Sequence, residues 1–304
     1  MSWCANVLIP LLFLIAYQCP AQRILQYHLL PSLTNPAAMG ESKTVDVGLA
    51  GQYGLYGFDG GPQTVALSAT IPFLVSSNSS NKRRGGRGAY RAYREEETKK
   101  NYIGLSAVGS QVGVHQDIAA LAGYGHKIQL GAATYLTFAF TSGVQMQLSN
   151  YAKAVNEYVA DPAILQRIEN SRAVSSFVWQ VGAYLQGKAY YFSLFTASVF
   201  TPEYCYQIGW RSRREHGWNI DISTLGTYFE RKQQYRQDIN LMLRYNEGLG
   251  IGASYRTQKD IACMASIKLG QLRLGYAYQI FNFDKLLPTH EIVLKYTVGT
   301  PKEL

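Results

Sequence analysis

The amino-acid sequence reads as an all-β chain that closes into an antiparallel transmembrane β-barrel of about fourteen strands. Three observations carry this. From Thr44 onward the dominant hydrophobic period is two, apolar on one face and small or polar on the other. Charged residues are only 16% of the chain, against roughly 25% in a typical soluble domain, while 28 Gly and 23 Tyr are present. After Gln22 no run of 18 apolar residues exists, so no helix is expected to cross a bilayer.

The chain opens with a targeting segment. Val7–Tyr17, VLIPLLFLIAY, is an apolar core too short to span a membrane and is broken by Pro10. Cys19 and Ala21 supply small residues at −3 and −1, which sets residues 1–21 as a signal peptide cleaved before Gln22. Tyr17-Gln18 before Cys19 is the wrong context for lipidation. Residues 22–43 then form a periplasmic N-terminal segment, residues 44–298 the barrel and residues 299–304 a tail.

The strand pattern is regular. TVDVGLAGQY sets Val45, Val47, Leu49 and Tyr53 on one face and Asp46, Gly48, Ala50 and Gln52 on the other. QTVALSATIPF and HEIVLKYTV repeat the pattern. Strands are expected near 44–54, 63–73, 101–110, 117–126, 133–147, 174–186, 188–199, 203–211, 217–228, 235–245, 248–257, 260–268, 270–280 and 289–298. The number is even, as bacterial outer-membrane barrels require, and segments of nine to eleven residues suit a tilted membrane strand.

With both termini in the periplasm, the outward connections are 55–62, 111–116, 148–173, 200–202, 229–234, 258–259 and 281–288. The periplasmic turns 127–132, 187, 212–216, 246–247 and 269 are short. Long outside and short inside is the outer-membrane habit. Within the largest outward loop, 148–173, Asp161 as N-cap, Pro162 at the first position and Ile164, Leu165 and Ile168 at helical spacing predict a short helix over 160–172. The exception is the basic connection 74–100 on the periplasmic side. Its segment Asn81–Lys100 carries eight Lys and Arg against three Glu, more than half of the formal charge of +9. The basicity describes one loop rather than the whole surface.

Chemistry is sparse. The five histidines, His28, His115, His126, His216 and His290, show no metal spacing with one another, with Cys or with carboxylates. No nucleophile elbow and no phosphate-binding glycine loop occur. No catalytic, cofactor or metal site is expected. Of the two cysteines beyond the signal segment, Cys205 points to the opposite strand face from Tyr204 and Tyr206, whereas Cys263 shares a face with Ile261 and Ile267. One points inward and the other outward, so no disulfide is expected.

Several strings in order resemble one family. LTNPAAMG (Leu33–Gly40), GFDGGPQTVALSATIPF (Gly57–Phe73), IGASYRT (Ile251–Thr257), RLGYAYQ (Arg273–Gln279) and HEIVLKY (His290–Tyr296) are similar to successive segments of the PorP/SprF outer-membrane proteins of type IX secretion and gliding in Bacteroidetes. Leu55 stands where that family often has Trp, and Gly61 where Ala is common. The resemblance implies an outer-membrane barrel without catalytic chemistry. It is tied either to other components of the secretion machinery, periplasmic ring and lipoprotein subunits, or to a secreted adhesin held by that adhesin's C-terminal domain. A passive pore is a third reading. Nucleic acid is excluded by export.

Candidate partner contacts follow. Asn35 and Pro36 either turn the chain into the first strand or form a plug or partner contact at the periplasmic rim. Gly60, Gly61 and Pro62 suit a tight corner, where Gly supplies positive φ and Pro restarts the strand. Phe58 beside them is a lid or partner residue. In the insert, Lys82, Arg83, Arg84, Arg87, Arg91 and Arg94 form either a solvated loop or a surface for acidic partners or anionic headgroups.

Overall fold

The computed structural model describes residues 24–41, 44–54, 60–73, 101–149, 173–197, 203–212, 217–229, 233–257, 260–280 and 288–298. The first 23 residues, the insert 74–100, most of loop 148–173 with its expected helix, and residues 299–304 lie outside them.

Fourteen antiparallel strands close into one barrel. They are β1 (Val45–Tyr53), β2 (Gln63–Phe73), β3 (Asn101–Val112), β4 (His115–Gly131), β5 (Thr134–Ser149), β6 (Val174–Gln186) and β7 (Tyr190–Ala197), followed by β8 (Glu203–Arg211), β9 (Trp218–Phe229), β10 (Gln234–Tyr245), β11 (Leu249–Arg256), β12 (Asp260–Leu269), β13 (Leu272–Ile280) and β14 (Thr289–Val298). Each strand pairs with the next, and β1 closes on β14 from Val45↔Val298 to Tyr53↔His290. Closure leaves no sheet edge along the wall, which is the condition for a β-structure in lipid.

The period-two pattern sorts the side chains as the sequence implies. Val47, Leu49, Val65, Leu67, Leu105, Ile251 and Leu294 are exposed on the outer face. Ala50, Thr64, Ala66 and Ser68 alternate with them and are buried on the lumen side. Two aromatic girdles bound the apolar band. Tyr124, Tyr190, Trp210, Trp218, Tyr245 and Tyr296 ring the end where β1 begins and β14 ends, and Tyr53, Tyr204, Tyr228, Tyr235 and Tyr255 ring the other. Such belts sit at the two headgroup levels. The first end carries the short turns at 246–248 and 270–271 and is therefore the periplasmic one.

Two expected connections are shorter than the sequence reading placed them. The turn expected at 127–132 is only residues 132–133, because β4 runs on to Gly131 across a register irregularity at Gln129. Ile128 and Leu130 keep the apolar alternation going there. The outward connection expected at 111–116 is a two-residue turn at 113–114, since β3 and β4 stay paired as far as Val112↔His115. Cys205 is buried and Cys263 exposed, and no disulfide joins them, as their opposite faces require.

The segment ahead of β1 folds inside the barrel. Ile24–Glu41 makes one short helix (Pro31–Thr34) and a 3-10 stretch (Pro36–Glu41). Leu25, Gln26, Tyr27, Leu29, Leu30 and Asn35 to Gly40 are buried. Their neighbours come from opposite sides of the ring: β3 to β7 around Pro36–Glu41, and β9, β10 and β14 around Leu25–Tyr27. A segment touching both sides of a closed wall occupies its lumen.

Candidate functional site: the plugged lumen and its periplasmic mouth

Residues 24–41 run from the outer half of the lumen down to the periplasmic mouth. At the upper end the Leu25 and Gln26 N–H groups donate to the two carboxylate oxygens of Glu291 on β14, at 2.5 and 2.8 Å. Backbone donors deep in a barrel need such a partner, because an unmade bond there costs about 1–3 kcal/mol. Tyr27 Oη lies 3.3 Å from Ser223 Oγ and accepts from Asn240 Nδ2.

Lower down, contact is by shape. Pro36–Glu41 packs with Tyr102, Ala139, Tyr184 and Tyr191 through Ala37, Ala38 and Met39. Met39 lies against Gly104 and Gly125: a Cβ there would fall 2.7 Å from Met39 Cε and 3.0 Å from Met39 Sδ. Asn35 is fully buried, and its Oδ1 accepts the Ala37 N–H at 2.9 Å, which caps the 3-10 turn. Lys127 Nζ donates to the Gly40 carbonyl at 2.8 Å.

The mouth is ionic. Arg211 on β8 bridges Glu41 of the plug at 2.9 Å and Asp221 of β9 at 2.8 Å. Arg244 also reaches Asp221 at 3.4 Å, and Lys295 pairs with Asp46 at 2.8 Å. Burial acts to raise the Glu41 carboxyl, but the Arg211 guanidinium outweighs it and holds the group below the usual carboxylate range. The His28 imidazole is held well below the histidine range, by burial first and then by the guanidiniums of Arg244, Arg211 and Arg273. Deeper in the lumen, Asp238 is flanked by Arg236 at 3.2 Å and Arg256 at 3.5 Å, and Gln279 donates to Asp260 at 3.1 Å.

The residues singled out from sequence fall in three places. Asn35 and Pro36 are buried within the lumen plug. Gly60, Gly61 and Pro62 lie at the outer end of the first hairpin; Gly60 takes φ +79° and its carbonyl accepts the Gly113 N–H at 2.8 Å, tying two outward turns together. Phe58 and Lys82, Arg83, Arg84, Arg87, Arg91 and Arg94 lie outside the described residues. The sequence reading passed over the lumen charges. Their signal was present in QYRQDINLMLRY (Gln234–Tyr245): Arg236, Asp238, Asn240 and Arg244 all occupy one strand face, and in a membrane strand such a face can only turn inward. Among the described residues no cluster of His, Cys, Asp and Glu is arranged to hold a metal ion.

With this geometry in view, the sequence matches the type IX secretion system membrane protein PorP/SprF family over residues 18–296. The chain belongs to the PorP/SprF family. Among curated proteins no sequence relative matches it. Solved structures with the same barrel include a monoaromatic hydrocarbon channel, CymD, at 9% identity, TM-score 0.51, covering 92% of this chain and 95% of that one. The Acinetobacter baumannii outer membrane protein Omp33 has 10% identity, TM-score 0.50 and coverages of 85% and 99%. A Pseudomonas aeruginosa FadL homologue has 9% identity, TM-score 0.50 and coverages of 89% and 94%. At such identities these likenesses show the fold alone. Together, family and fold make this PorP/SprF protein an outer-membrane barrel of type IX secretion. Membership implies interaction with other components of that machinery.

Proposed function

We propose that this PorP/SprF protein is a non-enzymatic anchor, a closed outer-membrane barrel that holds periplasmic ring or lipoprotein components of the type IX machinery in place. The observation that carries this reading is the filled lumen. Residues 24–41 occupy the space a conduit would need, bonded at one end to Glu291 and at the other to Arg211. Such a barrel works through its surfaces rather than its bore, which disfavours the passive pore. The basic insert Asn81–Lys100 is the proposed periplasmic contact, with Asn35 and Pro36 acting by fixing the plug beneath the mouth.

A gentle-detergent pull-down of the intact protein tests this. Periplasmic secretion components are expected to co-purify and to be released when Asn81–Lys100 is deleted. Unchanged co-purification would remove the insert from the mechanism. The alternative, a dedicated anchor for one secreted adhesin through Phe58 and the Gly60-Gly61-Pro62 corner, predicts that deleting the gene strips one surface protein while general secretion continues. An ohmic conductance from the native protein in planar bilayers would overturn both.

A further inference from the structure

We infer that the periplasmic mouth of the lumen is a receptor pocket for an acidic, partly apolar polypeptide segment of a periplasmic partner. The inference rests on the anchoring reading and gives it a site.

A cavity of about 560 Å³ opens between the plug and the wall at this end, within the size range of built ligand sites. Its lining holds five cations, Arg211, Arg244, Lys268, Arg273 and Lys295, against three carboxylates, Glu41, Asp46 and Glu247. Counting Asp221, which sits behind Arg211 and Arg244, still leaves the cations in excess.

Three of these cations retain bonding capacity. Lys268 has no carboxylate partner among the described residues and is exposed. Arg244 is 7% exposed and its Nε has no acceptor. Arg273 Nη2 donates to the Glu247 carbonyl of the 246–248 turn at 2.9 Å and lies 3.7 Å from that residue's carboxylate, which is half in solvent, so the ion pair is weak. A second buried atom on the same cavity, His28 Nε2, is also without a partner. A carboxylate entering the cavity meets the exposed Lys268 ammonium and the Arg273 guanidinium first, whereas the buried Arg244 Nε and His28 Nε2 come into reach only after a side-chain shift; charge-assisted bonds to such cations are the strong ones.

The remaining lining is mixed, with Ser32, Thr44, Ser68, Thr70, Gln271 and Thr297 supplying neutral polar groups. Leu29, Leu30, Ala38 and Met39 put an apolar patch on the plug side of the cavity beside the cations, so the complementary ligand carries apolar as well as acidic side chains. Lipid headgroups do not fit this place. The cationic side chains belong to the lumen-facing set, and lipid meets the opposite face of each strand. An extended polypeptide approaching from the periplasm reaches it directly.

The test uses the full-length barrel in mild detergent and a hexapeptide of alternating Glu and Leu carrying a neutral fluorophore, with the Gln–Leu hexapeptide as control. Fluorescence anisotropy is expected to show binding of the acidic peptide only, and binding at least tenfold weaker in the Lys268→Gln/Arg273→Gln double variant. Neither side chain has a hydrogen bond or ion pair to the plug among the described residues, and heat-modifiable migration verifies that the variant is folded. Equal binding of the two peptides, or an affinity of the folded variant within twofold of wild type, overturns the proposal. So does inorganic phosphate displacing the peptide when present only at the peptide's own concentration, which would mark a small-anion site. The pull-down separates the two claims. If partners co-purify equally with wild type and double variant, the pocket is not their site although the anchoring reading stands. If none co-purify with wild type while the peptide discriminates as expected, anchoring fails and the pocket remains.

Discussion

The two sides of the lumen hold the same 18-residue plug by different physics. The wall formed by β3 to β7 is small and aromatic: Gly104, Gly125, Ala139, Tyr102, Tyr184 and Tyr191 leave a socket that Ala37, Ala38 and Met39 fill. The wall formed by β8 to β14 is ionic, with Asp221, Arg236, Asp238, Arg244, Arg256, Asp260 and Glu291 buried along it. Shape complementarity is insensitive to pH and salt but intolerant of added volume. Charge is tolerant of volume but must be answered group by group, because a buried charge without a partner is expensive. The plug is therefore seated mainly against one wall, where Lys127 adds a hydrogen bond to Gly40, and tethered mainly to the other.

Removing the plug breaks the comparison altogether. A chain lacking residues 24–41 is expected to give stepwise conductance in planar bilayers where the native protein is silent. The next largest effect belongs to the tether. Glu291→Leu strands the Leu25 and Gln26 N–H groups, at a cost of about 3 kcal/mol. The plug should then become accessible to protease while the barrel still shows heat-modifiable migration.

On the socket side, Gly125→Leu drives side-chain volume into Met39 and should destabilise the plugged form by about 2 kcal/mol. Met39→Ala in the same chain should restore part of it, and a restoration of nothing would mean the socket is not where the strain arises. No equivalent rescue is expected across the ionic wall.

The pH dependence comes from the ionic side. The folded His28 titrates below its ordinary value of about 6.5, so the plugged form binds fewer protons than the released form just below that pH. Its stability is therefore full above about pH 6.5 and falls as the pH drops below it, by at most about 1.4 kcal/mol per pH unit. His28→Gln should flatten plug protection between pH 6.5 and 5, as read by hydrogen exchange. Glu41, held low by Arg211, acts in the same direction but only below the ordinary carboxylate range near pH 4.5. Smallest of all, Tyr27→Phe removes one hydroxyl shared with Ser223 and Asn240 and should cost about 1 kcal/mol, measured as a modest rise in exchange at Tyr27 and its neighbours.

The strands were legible because a membrane wall imposes its own period. Val47, Leu49 and Leu67 alternate with Gly48, Ala50 and Ser68, and no other arrangement lets every second residue meet lipid. The ends of β4 were less legible. The turn expected at 127–132 ends in Gly131-Ala132, yet Ile128 and Leu130 carried the pattern through most of it. The lumen site was legible only in its charges. Arg236, Asp238 and Arg244 fall on one face of β10 and so had to turn inward, but nothing in the spacing of Ile24–Glu41 says what they turn toward. That segment has one four-residue helix and no sustained period, and the same apolar residues would suit a lead-in outside the barrel.

Fold class, strand number and the sorting of faces therefore came from the order of residues alone, since alternation is a local property that each strand satisfies by itself. The path of Leu25–Gly40 through the bore, the pairing of Glu291 with backbone donors 265 and 266 positions away, and the cationic cavity at the mouth needed the closed barrel. Closure brings residues distant in the chain to opposite sides of one narrow space, and only that space distinguishes a plug from a tail.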